Sequence, residues 1–208
     1  MTSQKSKTVY FCAGWFTDKQ NKAYEDAMNA IKANPTVDVE NSYVPLQHQY
    51  KGLRVDEHPE LLQDREWSTA TYNGDRVGVS TSDMLLAVYI PEEEDVGMGV
   101  ELGMARALGK YIMVVIPDED FGKPINLMSW GIADNFIKMS ELPNYDFNKP
   151  SYKNKNSKKQ FYTTPSRMNI TEDSVYLSSI GKIKYCNSYG DEILGAGDKR
   201  KKNITKIT

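Results

Sequence analysis

Apolar positions in the first 140 residues fall into two patterns that alternate along the chain. Two stretches are continuous and of strand length, residues 84–90 (MLLAVYI) and 111–116 (YIMVVI), and residues 8–12 (TVYFC) form a short β-prone run. Unbroken runs of this kind suit strands covered on both faces, which points to a parallel sheet. Between them the apolar residues space out. Ala23, Ala27, Ala30 and Ile31 recur at three- and four-residue steps, so a helix capped by Thr17 or Asp18 runs to about residue 33, where Asn34-Pro35 stops it. Residues 97–108 are the crossover helix of a right-handed βαβ unit. Residues 61–72 read as another helix, closed by an Asn73-Gly74 turn or C-cap. A second strand over 38–44 and a last short one over 136–139 bring the total to five. The predicted fold is α/β: a doubly wound, flavodoxin-like, five-stranded parallel sheet with helices on both faces.

Composition divides this picture in two. The chain has 208 residues, 39% of them hydrophobic, enough to bury a core. Residues 1–150 hold 14 Lys and Arg against 23 Asp and Glu, whereas residues 151–208 hold 12 against 5. The shift marks a boundary near Pro150, with a folded domain over 1–150 and a basic C-terminal extension over 151–208. An acidic main portion argues against nucleic acid as its ligand, because phosphate contacts need clustered Lys and Arg. Cys12 and Cys186 have no CxxC or Cys/His pattern, so neither a disulfide framework nor a metal site is indicated. The N-terminus lacks an apolar run of signal-peptide length and no membrane-spanning run occurs. The expectation is a cytoplasmic protein without a membrane partner.

Ligands of doubly wound sheets bind beyond the carboxyl ends of the strands. The segments that reach this edge are 13–16, 45–50, 91–101 and 117–126. PEEEDVGMGVELG delivers Asp95 and Glu101 there, and Gly97 and Gly99 let the backbone pass close to a ligand. Read blandly, it is a solvated acidic loop with glycine as punctuation. It is not a dinucleotide fingerprint, because the glycines lack the GxGxxG spacing after the first strand. Asp75 and Asp18 are further carboxylates. A carboxylate that attacks an anomeric carbon, with a second acid for the leaving group, is what retaining glycosyl transfer requires. Aromatic residues gather near these loops: Tyr10, Phe11, Trp15, Phe16, Tyr43, Tyr50, Trp67 and Tyr72. Trp15-Phe16 offers a surface on which a flat heterocycle stacks, with core filling as the alternative for any single ring.

YFCAGWFTDKQNKAY, ENSYVPL, QYKGLRVDEHPE, ATYNGD, IPEEEDVGMGVELG and GKPINLMSWG together resemble the lactobacillal nucleoside deoxyribosyltransferase family, in particular the class accepting both purines and pyrimidines. The resemblance runs nearly without gaps over residues 8–150. It implies transfer of a 2-deoxyribosyl group from one nucleobase to another, with Glu101 as nucleophile on C1′, Tyr10 orienting it and Asp75 handling the proton on the base. It further implies that Gln49 and Asp95 hold the base edge and that Trp15 and Phe16 wall the base. Asn126 and Met128 would reach the sugar of a neighbouring subunit in a homohexamer built as a trimer of dimers. The implied ligands are 2-deoxynucleosides and free nucleobases, with no metal or organic cofactor. Two other readings of the same residues are a deoxynucleoside N-glycosidase, in which water takes the sugar, and a non-catalytic nucleoside or nucleotide sensor.

The chain departs from the family pattern twice. Cys12 stands where Gly is common, and with no activating partner visible it reads as a packed thiol. Members of this class also end shortly after FNKP, with a terminal Tyr whose carboxylate takes part in the active site, whereas here the chain continues to Thr208. The extension carries Lys153, Lys155, Lys158 and Lys159, and reads as a flexible, solvated segment with a hairpin around residues 175–185. Its KRKK at residues 199–202 is the one stretch suited to a basic arm for nucleic acid or membrane.

Overall fold

The continuous apolar runs become the centre of a parallel sheet. The computed structural model describes residues 6–152 and two short segments, 175–177 and 183–185. Strands β1 (Val9–Ala13), β2 (Met84–Val88), β3 (Tyr111–Ile116) and β4 (Asn135–Lys138) lie side by side in that order, all parallel. Every residue of β1, β2 and β3 is buried, as expected of strands covered on both faces.

Side chains alternate across the sheet, and the two faces build two cores. Val9, Phe11, Leu86, Met113 and Val115 pack under helix α1 (Asp18–Ala33), with Leu142 and Phe147 closing the layer. Tyr10, Cys12, Leu85, Ala87, Ile112 and Val114 face the opposite layer, formed by α2 (Arg65–Thr81) and α3 (Val96–Ala107). A short α4 (Leu127–Ile132) follows β3. Each helix begins where a polar side chain takes an orphan backbone N–H: Thr17 from Gln20, Asp64 from Trp67, Asp95 from Gly97 and Asn126 from Met128. Fully burying one aliphatic core side chain stabilises the fold by about 1.5–3 kcal/mol, so the two layers outweigh any single polar contact.

Two sequence expectations change. The strand over 38–44 is not formed, and the described sheet has four strands rather than five. A continuous ladder gives way to a bond from Val9 N to Ser42 Oγ at 2.9 Å and to isolated parallel bridges, Lys7 with Val37 just before β1 and the segment and Tyr10 with Tyr43 within them. Between them the Asp38 carboxylate accepts from Asn41 N and Nδ2, while Ser42 Oγ donates to the Asp38 carbonyl. This local turn lifts the chain out of the ladder. Tyr43 returns to it, with Phe11 N donating to the Tyr43 carbonyl at 2.8 Å and Tyr43 N to the Val9 carbonyl at 2.9 Å.

The second change concerns Asn73-Gly74, which does not end a helix. A 3-10 turn, Pro59–Gln63, precedes Asp64, and α2 runs straight through the Asn-Gly pair. Gly74 and Gly78 sit one turn apart on a single face because the Tyr43 ring lies against them. A Cβ on Gly74 would come to 2.8 Å from Tyr43 Oη, and one on Gly78 to 2.4 Å from Tyr43 Cγ. The glycines serve close approach, not termination. Gly78→Ala is therefore expected to destabilise the fold by about 1–2 kcal/mol in urea unfolding, because forced overpacking exceeds the helix-propensity gain. A variant as stable as the parent would mean that Tyr43 is not seated there.

In the extension, Val175–Leu177 pairs antiparallel with Ile183–Tyr185, where the hairpin was expected. The lysines between residues 153 and 159, the KRKK run at 199–202 and the flexibility expected of the segment lie outside the described residues. No helix among the described residues is long and apolar enough to cross a membrane.

Candidate active site

Glu101 lies in α3, on the side facing β1. Tyr10 and Cys12, two residues apart on β1, point to that same side because strand side chains repeat every second residue. The Tyr10 hydroxyl donates to Glu101 Oε1 at 2.8 Å, and the Cys12 thiol to Oε2 at 2.8 Å. Burial pushes the Glu101 carboxyl up to about 7; the hydrogen bonds from Cys12 and Tyr10 work against that rise, and the carboxylates of Asp75 and Asp95 add to it. Burial, followed by the Glu101 charge, drives the Tyr10 hydroxyl and the Cys12 thiol well above their ordinary ranges, so both remain protonated donors.

Asp75 comes from α2. Its carboxylate accepts from Tyr43 Oη at 3.3 Å, and burial raises its carboxyl to about 6. Tyr43 joins the two acids. Its ring stacks on Tyr10 at 5.5 Å and 8°, and on His48 at 4.4 Å and 20°. Two carboxyls with raised affinity for protons, one held by a phenol and a thiol and the other by a phenol, thus share one edge of the sheet. Between roughly pH 6 and 7 the pair shares a single proton, which rests more on Glu101 than on Asp75, and the arrangement that glycosyl transfer uses, Glu101 ionised and Asp75 protonated, is the minor one in exchange with it.

The loops around this pair are fastened to each other. Gln20, buried on α1, accepts from Phe16 N at 2.9 Å and donates to the Glu93 carbonyl at 3.1 Å. Thr17 Oγ1 donates to Glu93 Oε2 at 2.6 Å. These bonds tie the segment after β1 to the acidic loop after β2. Gly14 makes room for them, since a Cβ there would lie 2.7 Å from Gln20 Cδ. Glu92, at φ 75, takes the left-handed conformation that a non-glycine residue adopts at some cost, and so turns the acidic loop back towards α3. On the other side, Tyr89 Oη donates to Glu94 Oε1 at 2.6 Å and accepts from Asn126 N at 3.3 Å.

The remaining expected site residues occupy the same edge with different degrees of engagement. Trp15 and Phe16 lie 5.3 Å apart at 32°, and Phe16 is 66% exposed, an open aromatic surface. Trp15 Nε1 is buried without a partner. Asp95 caps α3, accepting from Gly97 N at 2.7 Å, and acts on Glu101 through its charge. Gln49 is buried, and its carbonyl oxygen accepts from Val55 N at 2.8 Å, so part of its capacity goes to its own loop. Asn126 caps α4 through Met128 N, and the Met128 side chain is 77% exposed, turned outward from this chain. Asp18 is exposed in the first turn of α1, where it complements the helix dipole. Of the other aromatic residues, Phe11 is core and Trp67 is buried with its indole donating to the Leu53 carbonyl. Tyr50 donates to Glu66 at 2.8 Å, and Tyr72 is half exposed.

Cys12, expected to be a packed thiol without a partner, is buried but donates to Glu101. Its position two residues after Tyr10 on a strand was the available signal. Tyr43 and Gln20 carried weaker ones: the four-residue spacing of Gly74 and Gly78, and a polar residue on the apolar stripe of α1. Among the described residues, no group of three or more His, Cys, Asp or Glu side chains is placed to hold a metal ion.

The family model for nucleoside 2-deoxyribosyltransferase matches residues 9–128, a span that contains every residue described above around Glu101. A nucleoside deoxyribosyltransferase of Lactobacillus leichmannii is 67% identical over 146 residues, 70% of this chain and 93% of the relative. One from Lactobacillus johnsonii is 69% identical over 140 residues, 67% of this chain and 94% of the relative. The solved structure of a 2-deoxyribosyltransferase from Bacillus psychrosaccharolyticus superposes with a TM-score of 0.55 at 23% identity, covering 67% of this chain and 93% of that one, and so shares the fold. With a family model spanning more than half of its length and relatives at this identity, the chain belongs to the nucleoside 2-deoxyribosyltransferase family.

Proposed function

We propose that this protein is a pentosyltransferase that moves the 2-deoxyribosyl group between purine or pyrimidine bases by double displacement through a glycosyl-Glu101 ester. The observation that carries the reading is the carboxylate of Glu101, held on both oxygens by donors from one strand and faced by a second acid, Asp75. In the first step a Glu101 oxygen bonds to C1′ as the N-glycosidic bond breaks, and the electron pair leaves on the base nitrogen, which takes a proton from Asp75. In the second, a nitrogen of the incoming base attacks C1′, its proton passes to Asp75, and the Glu101 carboxylate departs. Two inversions leave the anomeric configuration unchanged. Tyr10 stays protonated throughout and stabilises the carboxylate as charge returns to it.

Around this centre, Trp15 and Phe16 stack on the base, while Gln49 and Asp95 meet its edge. Asn126 and Met128 serve a neighbouring subunit's sugar within a homohexamer, which accounts for an exposed methionine beside a helix cap. The setting is cytoplasmic nucleoside salvage, with no metal or organic cofactor.

Incubating a 2-deoxynucleoside with a different free base should yield the exchanged nucleoside of unchanged configuration. Release of free deoxyribose at the same rate with and without acceptor base would instead mark a hydrolase, and saturable binding without turnover a sensor. The pH dependence of kcat/KM should be bell-shaped, with limbs near 6 and 7. Activity falls below the bell because both carboxyls are protonated and no nucleophile is ionised, and above it because both are ionised and the last proton for the leaving base is lost; the limbs belong to the pair. A rate flat from pH 5 to 8 would contradict this assignment of the pair.

A further inference from the structure

The family reading employs Glu101, Tyr10 and Asp75, and leaves Cys12 unused. Yet Cys12 is only 1% exposed and its thiol points at Glu101 Oε2, 2.8 Å away. Burial and the Glu101 charge both keep the sulfur protonated, so it is a donor and neither a nucleophile nor a thiolate. With the Tyr10 hydroxyl alone on Oε1, the carboxylate would remain free to turn about its Cγ–Cδ bond. A second donor on Oε2 fixes the plane. The two donors come from the same strand, two residues apart, so they are positioned by the rigid pleat of β1 between β2 and the returning Tyr43 segment. An S–H donor is weaker than O–H, so Oε2 is anchored with less withdrawal of electron density than Oε1.

We infer that Cys12 is a positioning residue for the reaction: its thiol is the second anchor that sets the plane of the Glu101 carboxylate for attack on C1′. The inference rests on the reading of Glu101 as nucleophile. The titratable groups facing Glu101 are Tyr10 and Cys12 from β1, Asp75 from α2 and Asp95 at the start of α3, with Tyr43 also within its electrostatic reach. Of these, the two β1 donors favour the ionised carboxylate while Asp75 and Asp95 oppose it, so loss of the thiol moves Glu101 ionisation to higher pH.

The test compares Cys12→Ala and Cys12→Ser with the parent in base exchange across pH, alongside carbon-13 NMR of the Glu101 carboxyl in the free protein, which reads ionisation without turnover. In Cys12→Ala, kcat should fall about tenfold with KM within about twofold, and the alkaline limb and the carboxyl titration should both move to higher pH. Cys12→Ser, with a hydroxyl of similar size, should restore both. An unchanged kcat and titration in Cys12→Ala would overturn the inference, as would a serine variant as impaired as the alanine one. If the alanine variant does not fold, serine against the parent decides: an alkaline limb at the same or lower pH supports the anchor, and one moved upward overturns it. Base exchange by Glu101→Ala would sink the nucleophile reading itself, whereas an inert Cys12→Ala sinks only the anchor.

Discussion

Glu101→Ala should retain the fold and lose base exchange by on the order of 10⁴-fold or more, because removing a nucleophile removes the covalent route as a whole. The fold survives because Glu101 adds little to the apolar layer formed by Met98, Leu102 and Ala105 on the same helix. Its burial costs free energy when it is charged, so its removal relieves the interior at neutral pH. What remains is the Tyr10 phenol and the Cys12 thiol without the carboxylate they hold. Initial rates at saturating donor, with circular dichroism to verify folding, check this. Exchange within tenfold of the parent would remove Glu101 from its proposed role.

Asp75→Asn should lower kcat by about 10²–10³-fold, the usual worth of a positioned general acid. The amide oxygen can still accept from Tyr43, so the stacked column of Tyr10, Tyr43 and His48 stays in place. The loss should be selective. A deoxyribosyl donor whose leaving group departs without a proton should lose far less than a natural nucleoside. The titration of the Glu101 carboxyl should also move to lower pH, because the negative charge of Asp75 no longer opposes its ionisation. Equal losses on both donors would assign Asp75 to binding instead of proton transfer.

Much of this site can be read in the chain because the elements that build it are strongly patterned. β2 and β3 are uninterrupted apolar runs, and α3 between them has to begin near Asp95 and Gly97, so the pattern by itself puts Glu101 at the carboxyl edge. The resemblance adds Tyr10 and Asp75; in the fold Tyr10 donates to Glu101, and Asp75 lies within its electrostatic reach. The residues from 38 to 44 mislead because Val39, Tyr43 and Val44 are strand-prone, whereas Asp38, Asn41 and Ser42 bond one another locally and break the ladder. Asn73-Gly74 misleads for the opposite reason. A turn signal is a statement about backbone freedom, and here the missing side chain makes room for a ring that arrives from about thirty residues earlier in the chain. No local pattern encodes that contact.

Side-chain engagement is the least legible layer. Whether Gln49 offers its amide to a base or to its own loop depends on where Val55 lies, and whether Cys12 is inert depends on the side chain across from it. Both are tertiary facts. The period of two along β1 still reaches halfway, since it places Cys12 and Tyr10 on one face, and the placement of Glu101 on that face supplies the rest.

A covalent bond between deoxyribose and Glu101 is the centre of the proposed mechanism, and rapid-quench mass spectrometry tests it most directly. Protein mixed with a 2-deoxynucleoside without acceptor base, stopped in acid and digested, should yield the peptide containing Glu101 heavier by one deoxyribosyl group, with the label absent in Glu101→Ala. A label on any other side chain, or steady exchange with no label on Glu101 at any quench time, would contradict that mechanism.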